Sequence, residues 1–344
     1  MRFVYSILTL IAIFSTSFYA GCKKGFGGLS ANASEIFWVK NNGADMPVRV
    51  EGNTLSKIIV LIVHGGPGDG SFNYADYQTA ELREKYAVAF WDQRDAGNSA
   101  GNNNLNDLSL PQMISDLEAV VAVLKFRYEE SHLYLCAHSF GGLLAAGYLV
   151  KSSNQDQVRG WIEIDGAHNY PLCNSSSRQM LMDTARSEID KGHHASQWQG
   201  ILDYCTTHDP LSSYEIASQT ERYARLAEGY MGVKQSTPVS LAEDPSSLLA
   251  DYYDLNYTSA GKNFMETVNS ANYSGQLYEI QIPSLLLWGQ YDFVVPPAVG
   301  EDGINNLGSS KKKLVFCPNS GHHPMETDTN LVQDEIINFI ESCE

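Results

Sequence analysis

Hydrophobic positions along the chain fall into two alternating rhythms. Short continuous apolar runs occupy residues 57–63 (KIIVLIV), 86–91, 133–137, 158–164, 284–288 and 313–317. Runs of this length predict buried strands, and 57–63, which is rich in β-branched residues, predicts one buried on both faces. Between them apolar residues recur at helical spacing, as Met113, Leu117, Val120, Val121 and Leu124 do within 110–128. Helices are likewise predicted over 74–84, 143–149, 213–230, 297–306 and 330–342. Residues 35–40 and 47–51 flank Asn41-Asn42-Gly43, which predicts an antiparallel hairpin at a sheet edge. Strand and helix in alternation imply a mostly parallel sheet with helices on both faces. From 168 to 278 the strand pattern lapses, and helical stretches alternate with loops. The predicted organisation is therefore a core in two parts, 35–167 and 279–344, with a mainly helical lid inserted at 168–278.

The first residues follow another pattern. Arg2 precedes an apolar run over 3–14, then small and polar residues, then Tyr19-Ala20-Gly21-Cys22. In length and order this is an export signal over 1–21, too short for a comfortable membrane span. Ala-Gly-Cys resembles the bacterial lipobox, with Tyr19 where leucine is usual. That resemblance implies lipidation of Cys22, a tether over 22–34, and a membrane-anchored lipoprotein facing the periplasm or the cell surface. Simple secretion with cleavage nearby is the alternative.

Composition adds two constraints. The 344 residues carry a formal charge of −17, which argues against nucleic acid as a partner, since phosphates would be repelled. The six cysteines fit no zinc spacing. With Cys22 lipidated and Cys136 in a strand, Cys173 with Cys205 and Cys317 with Cys343 are the local pairings that export would permit; free buried thiols are the alternative.

The chemistry centres on residues 133–144, LYLCAHSFGGLL. An apolar strand runs into an abrupt corner at His138-Ser139-Phe140 and then into a helix. A serine at such a corner is a nucleophile elbow, in which small residues two positions either side let strand and helix pass closely. Here they are Ala137 and Gly141. A serine hydroxyl needs a base, and the base an anion to fix its tautomer. Asp292 follows a strand in Trp288-Gly289-Gln290-Tyr291-Asp292, and His322 follows the last strand in Ser320-Gly321-His322-His323-Pro324. The chain order Ser139, Asp292, His322 is that of α/β-hydrolases. His323 competes for the base, and Asp302 and Asp328 are weaker acid candidates. For the oxyanion, the Phe140 amide supplies one donor and the glycine-rich loop at His64-Gly65-Gly66 the other, with Gly66 preferred. This chemistry requires neither metal nor cofactor.

HGGPG at 64–68, then Trp91-Asp92-Gln93-Arg94 with Gly97 and Ser99, the elbow, the Asp292 loop and the Gly321-His322 loop together resemble the proline iminopeptidase (prolyl aminopeptidase) group of α/β-hydrolases, from residue 58 to the C-terminus. The resemblance implies an α/β-hydrolase fold with a helical cap, and release of an N-terminal residue, usually proline, from small peptides. It implies a structural role for Asp92, Gln93 and Arg94, and lid glutamates that hold the substrate's amino group. Glu228 and Glu221 are the nearest matches for those glutamates, the alternative being solvated helix charges. Three departures stand out: Asp95 where the family has glycine, Ala137 for the first elbow glycine, and a lid without the family's tryptophan-rich glutamate segment. The resulting expectation is a serine exopeptidase working through an acyl-enzyme. A carboxylesterase, lactonase or amidase of small substrates is the alternative, with a non-catalytic surface-binding lipoprotein behind it.

Overall fold

The structure, a computed structural model, describes residues 29–99, 107–233 and 259–344. The export segment, Cys22 and the start of the tether lie outside the described residues, as do parts of the loop after Ser99 and of the insertion.

Eight strands form one sheet: β1 Ala33–Asn41, β2 Ala44–Gly52, β3 Ile58–Val63, β4 Ala87–Trp91, β5 His132–His138, β6 Gly160–Ile164, β7 Ser284–Gly289 and β8 Lys312–Cys317. Their order is β1-β2-β4-β3-β5-β6-β7-β8. β1 and β2 pair antiparallel, as do β2 and β4, and every other pair is parallel. The hairpin pairs Asn41 with Ala44, and Asn42 and Gly43 take φ of 41° and 84°. Two left-handed residues in a two-residue loop match the right-handed twist of the strands they join, which is why Asn-Gly sits there.

The helices are α1 Ala80–Lys85, α2 Leu110–Arg127, α3 Phe140–Leu149, α4 Ser152–Gln155, α5 Tyr170–Lys191, α6 Ala195–Thr207, α7 Tyr214–Tyr230, α8 Ser259–Asn269, α9 Pro297–Asn306, α10 Pro324–Thr327 and α11 Thr329–Cys343. On one face of the sheet, Val120, Leu124, Leu143 and Val299 pack on Leu61, Leu135 and Leu286. On the other, Leu82, Ile336 and Ile340 pack on Val60, Cys136 and Leu285. Two buried layers explain why the central strands read as unbroken apolar runs.

One expectation needs correction, and one pair of alternatives is decided. The helix predicted over 74–84 is only α1, preceded by single turns at Ser71–Tyr74 and Tyr77–Thr79. The Thr79 hydroxyl donates to the Tyr74 carbonyl at 2.8 Å, a local bond that competes with the helical ladder. The two local disulfides do not form: Cys136, Cys173, Cys205, Cys317 and Cys343 are all free and buried.

Between β6 and β7, the described residues hold α5 to α8. An isolated bridge between Asn169 and Asn272 joins the two ends of this insertion. Its own core gathers Leu181, Trp198, Ile201, Ala224 and Ala227 around Phe293 from the loop after β7.

Candidate active site

Ser139 stands between β5 and α3 with φ 52° and ψ −122°, a conformation L-residues rarely adopt. The turn is fixed by bonds on either side. The Ser139 amide donates to the Ile164 carbonyl at 3.1 Å, and the Ala167 amide donates to the Ser139 carbonyl at 2.9 Å. A Cβ on Gly141 would stand 2.0 Å from the Val63 carbonyl oxygen, so only glycine fits where the helix crosses β3. Ala137, the departure two residues before the serine, is fully buried in the sheet between Val63 and Glu163. Its methyl is accommodated there.

The three residues singled out from the sequence come together. Ser139 Oγ lies 2.9 Å from His322 Nε2, and His322 Nδ1 lies 2.8 Å from Asp292 Oδ2. Asp292 Oδ1 accepts the amides of Val294 and Val295, each at 2.8 Å. Because the carboxylate only accepts, His322 carries its proton on Nδ1 and offers the Nε2 lone pair to the hydroxyl. Burial, and then the Arg225 guanidinium, hold His322 down at about 3, so the imidazole is neutral at physiological pH. His323 does not join the row; its ring lies against His138 and His322, with centroids 5.2 Å from each. Asp302 and Asp328 are engaged elsewhere. Asp302 bonds His168 at 3.2 Å, and Asp328 accepts from Asn319 and from Ser320 at 2.7 Å.

The glycine-rich loop after β3 is built from the strand ends beside it. Gln93, just past β4, donates through its amide to His64 Nε2 at 3.1 Å and through its side chain to the His64 carbonyl at 2.7 Å. Asp92 accepts from Ser71 and Asn98, and Arg94 forms a buried two-pronged bond to Asp116 at 2.8 Å. These three residues support loops, as the resemblance implies. Asp95 has φ 56°, so it stands in the conformation that glycine would adopt with least strain. Gly66 is exposed with φ 112°, and neither its amide nor that of Phe140 meets an acceptor among the described residues.

Several contributors carry no motif. His138 donates from Nε2 to the His322 carbonyl at 2.8 Å and accepts at Nδ1 from the Tyr74 hydroxyl at 2.7 Å; that hydroxyl accepts the Gly65 amide at 3.1 Å. One relay thus links the glycine loop, the elbow and the base. Asp165, just past β6, is buried with φ 44° and accepts the Gly289 amide at 2.8 Å. It also meets Asp292 in hydrogen-bonding contact, and burial pushes both carboxyls up. Two buried carboxylates in contact hold one proton between them. Asp292 has three N–H donors and Asp165 has one, so the proton rests on Asp165. An acid directly after an apolar strand was the only sequence signal for it. His138, Asp165 and His322 each bring a ligand-capable atom within 4.8 Å of the others, but each already has protein partners in the bonds above.

The two lid glutamates separate. Glu221 pairs with Arg225 at 2.7 Å, both about half exposed. Glu228 is only 5 % exposed, and its Oε1 accepts from the amides of Phe293 and His322, each at 3.3 Å. The signal for its burial was spacing. Ala217, Thr220 and Ala224 form a small-residue stripe along α7, and Glu228 continues it.

Comparison with known proteins bears on this arrangement. A family model described as serine aminopeptidase, S33, matches residues 55–198. The proline iminopeptidase of Elizabethkingia meningoseptica is 23% identical over 301 residues, which span 85% of this chain and 92% of that protein. The chain superimposes on the proline iminopeptidase of Mycobacterium smegmatis with a TM-score of 0.62 and 18% identity, covering 90% of this chain and 100% of that one. It superimposes on an esterase from Exiguobacterium antarcticum with a TM-score of 0.58 and 16% identity, covering 88% and 98%.

Proposed function

We propose that this chain, which has the α/β-hydrolase fold and is similar to proline iminopeptidases, is a serine hydrolase that releases the N-terminal residue of small peptides. The observation that carries this reading is the unbroken row of hydrogen bonds from Asp292 through His322 to the Ser139 hydroxyl. Ser139 Oγ attacks the scissile carbonyl while its proton passes to His322 Nε2. Asp292 stabilises the imidazolium that forms. The Gly66 and Phe140 amides receive the developing oxyanion; removing one such donor typically lowers turnover by about a hundredfold or more. His322 returns the proton to the departing amine, and water then cleaves the acyl-enzyme by the same route reversed. The insertion over 168–278 serves as the lid, and Glu221 receives the substrate's ammonium. The same proposal has the protein exported and anchored by lipid on Cys22; its support is the sequence of residues 1–22 alone.

A second reading keeps the machinery and changes the substrate to a carboxylic ester or lactone. Glu228, one of the two candidate ammonium ligands, is already bonded to backbone amides, which favours a substrate without a charged amine. The test is a panel of aminoacyl arylamides against short-chain aryl esters on the protein lacking residues 1–21. Turnover of the proline arylamide supports the first reading, whereas ester turnover with none on arylamides supports the second. A fluorophosphonate is expected to label the wild-type protein, and Ser139→Ala to abolish both labelling and turnover while the fold persists. Retained turnover in that variant overturns the mechanism.

A further inference from the structure

Glu228 belongs to α7, within the insertion, yet its carboxyl is directed at the core. One oxygen accepts amides from two different loops, that of Phe293, next to the acid Asp292, and that of His322 itself. The fit is close. A Cβ on Gly321 would stand 2.6 Å from Glu228 Cδ, so the absence of a side chain at 321 is what admits the carboxyl. The same two loops touch at a second seam, where a Cβ on Gly289 would stand 2.0 Å from the Gly321 carbonyl oxygen. They are also tied from within by the Tyr291 amide donating to the Ser320 carbonyl at 2.9 Å. From the insertion, the Ser177 hydroxyl on α5 donates to the Phe293 carbonyl at 2.6 Å, and Glu228 reaches both loops. Its helix is itself seated on the acid loop, because Ala224 and Ala227 share an apolar cluster with Phe293 and Trp198.

We propose that Glu228 is a positioning residue, which sets the spacing of the Asp292 and His322 loops from the insertion and so makes the seating of α7 a condition for alignment of the Asp292–His322–Ser139 row. The inference rests on the serine-hydrolase reading above. It differs from an ammonium-binding role, in which the carboxyl would act on the substrate rather than on the backbone of the base. Two buried amides left without an acceptor would relax toward other partners, and His322 Nε2 would move with them. A shift of this kind slows the chemical step, because transfer from Ser139 requires near-contact geometry.

Titration offers a second handle. Burial, then the adjacent Asp292 carboxyl, push Glu228 up to about 8. The charged and titratable groups facing it are Arg225 on its own helix, Asp292 and Asp165 from the ends of β7 and β6, and His322 from the loop after β8. Above that pH its ionisation adds negative charge beside the imidazole and raises the basicity of His322.

The test is the second-order rate of fluorophosphonate labelling at Ser139, which needs no knowledge of the substrate, measured from pH 6 to 9.5. Wild type, Glu228→Gln and Glu228→Leu are compared, with circular dichroism on each. Gln keeps an acceptor oxygen in place and is expected to label within about threefold of wild type at pH 7. Leu fills the volume but accepts nothing and is expected to label at least tenfold more slowly. The wild-type profile is expected to step upward near pH 8, and the Gln profile to lack the step. Labelling of Glu228→Leu at the wild-type rate overturns the proposal. So does equal loss in both variants for arylamides with no loss for esters, which would mark an ammonium ligand. If Glu228→Leu does not fold, the Glu228→Gln profile decides, and a step retained there overturns the proposal. Failure of the wild type to label is a separate outcome that removes the serine-hydrolase reading itself.

Discussion

At the scale of single residues, the elbow serine is held where few side chains rest. With φ 52° and ψ −122°, Ser139 occupies a region that strains an L-residue by about 1–3 kcal/mol. Glycine enters that region freely, although it loses more chain entropy on folding. Ser139→Gly is therefore expected to raise stability by about 1 kcal/mol while abolishing turnover, as read from the denaturant midpoint of the two proteins. A midpoint that falls would mean the corner stores no strain. The residues legible in advance were those whose chemistry forces a local pattern. Ser139 needs small neighbours, and Asp292 and His322 close strands and lie in turns. His138 and Asp165 were missed as contributors, and Glu228 was named for the substrate's amino group and not for the backbone amides it meets, for a shared reason. Each acts through the backbone or carboxyl of a residue far away in the chain, and no spacing rule records such a partner. His138 reads only as the variable position of an elbow, and Glu228 reads as a helix charge until the stripe of small residues before it is weighed.

At the scale of elements, the join between the insertion and the sheet carries a buried ion cluster. His168, just before α5, bonds Glu163 of β6 at 2.9 Å and Asp302 of α9 at 3.2 Å. Burial alone would lower this histidine, but the two carboxylates outweigh it and hold the imidazolium up to about 9. An unfolded histidine titrates near 6.5. The folded value is the higher one, so the contribution is complete below about pH 6.5 and is lost as pH rises through 9. The difference corresponds to about 3 kcal/mol. Unfolding free energy is expected to fall over that window in the wild type and to stay nearly level in His168→Gln; parallel curves would remove the cluster from this role. Most elements were legible because their apolar period is strict, as along α2 and in the buried strands. The helix expected over 74–84 failed at its start, where the Tyr74 carbonyl takes the Thr79 hydroxyl in place of a helical amide. Glu163 was hidden inside a strand, where its only signal is a charge in an otherwise apolar run.

At the scale of the whole molecule, the two halves of the core are separated in sequence by the insertion but joined in one sheet through β6 and β7. Among the described residues no helix is long and apolar enough to cross a membrane. The proposed attachment is through lipid on Cys22. Acyl chains supply about 0.8 kcal/mol per buried CH₂. Cells fed an alkyne fatty acid are expected to label the wild type, and Cys22→Ala to lose both label and membrane sedimentation; a soluble, unlabelled wild type overturns the anchor. The remaining sulfurs lead to a different consequence. Cys136, Cys173, Cys205, Cys317 and Cys343 all lie indoors, and burial pushes Cys136 up to about 12 and Cys205 to about 11. A thiol so reluctant to ionise is a poor nucleophile. Oxidants in the surrounding medium therefore find little to act on at Cys136, Cys173, Cys205 and Cys317 while the layers stay together. Among the described residues the reactivity of these thiols toward alkylating reagents becomes a clock for how often the layers part.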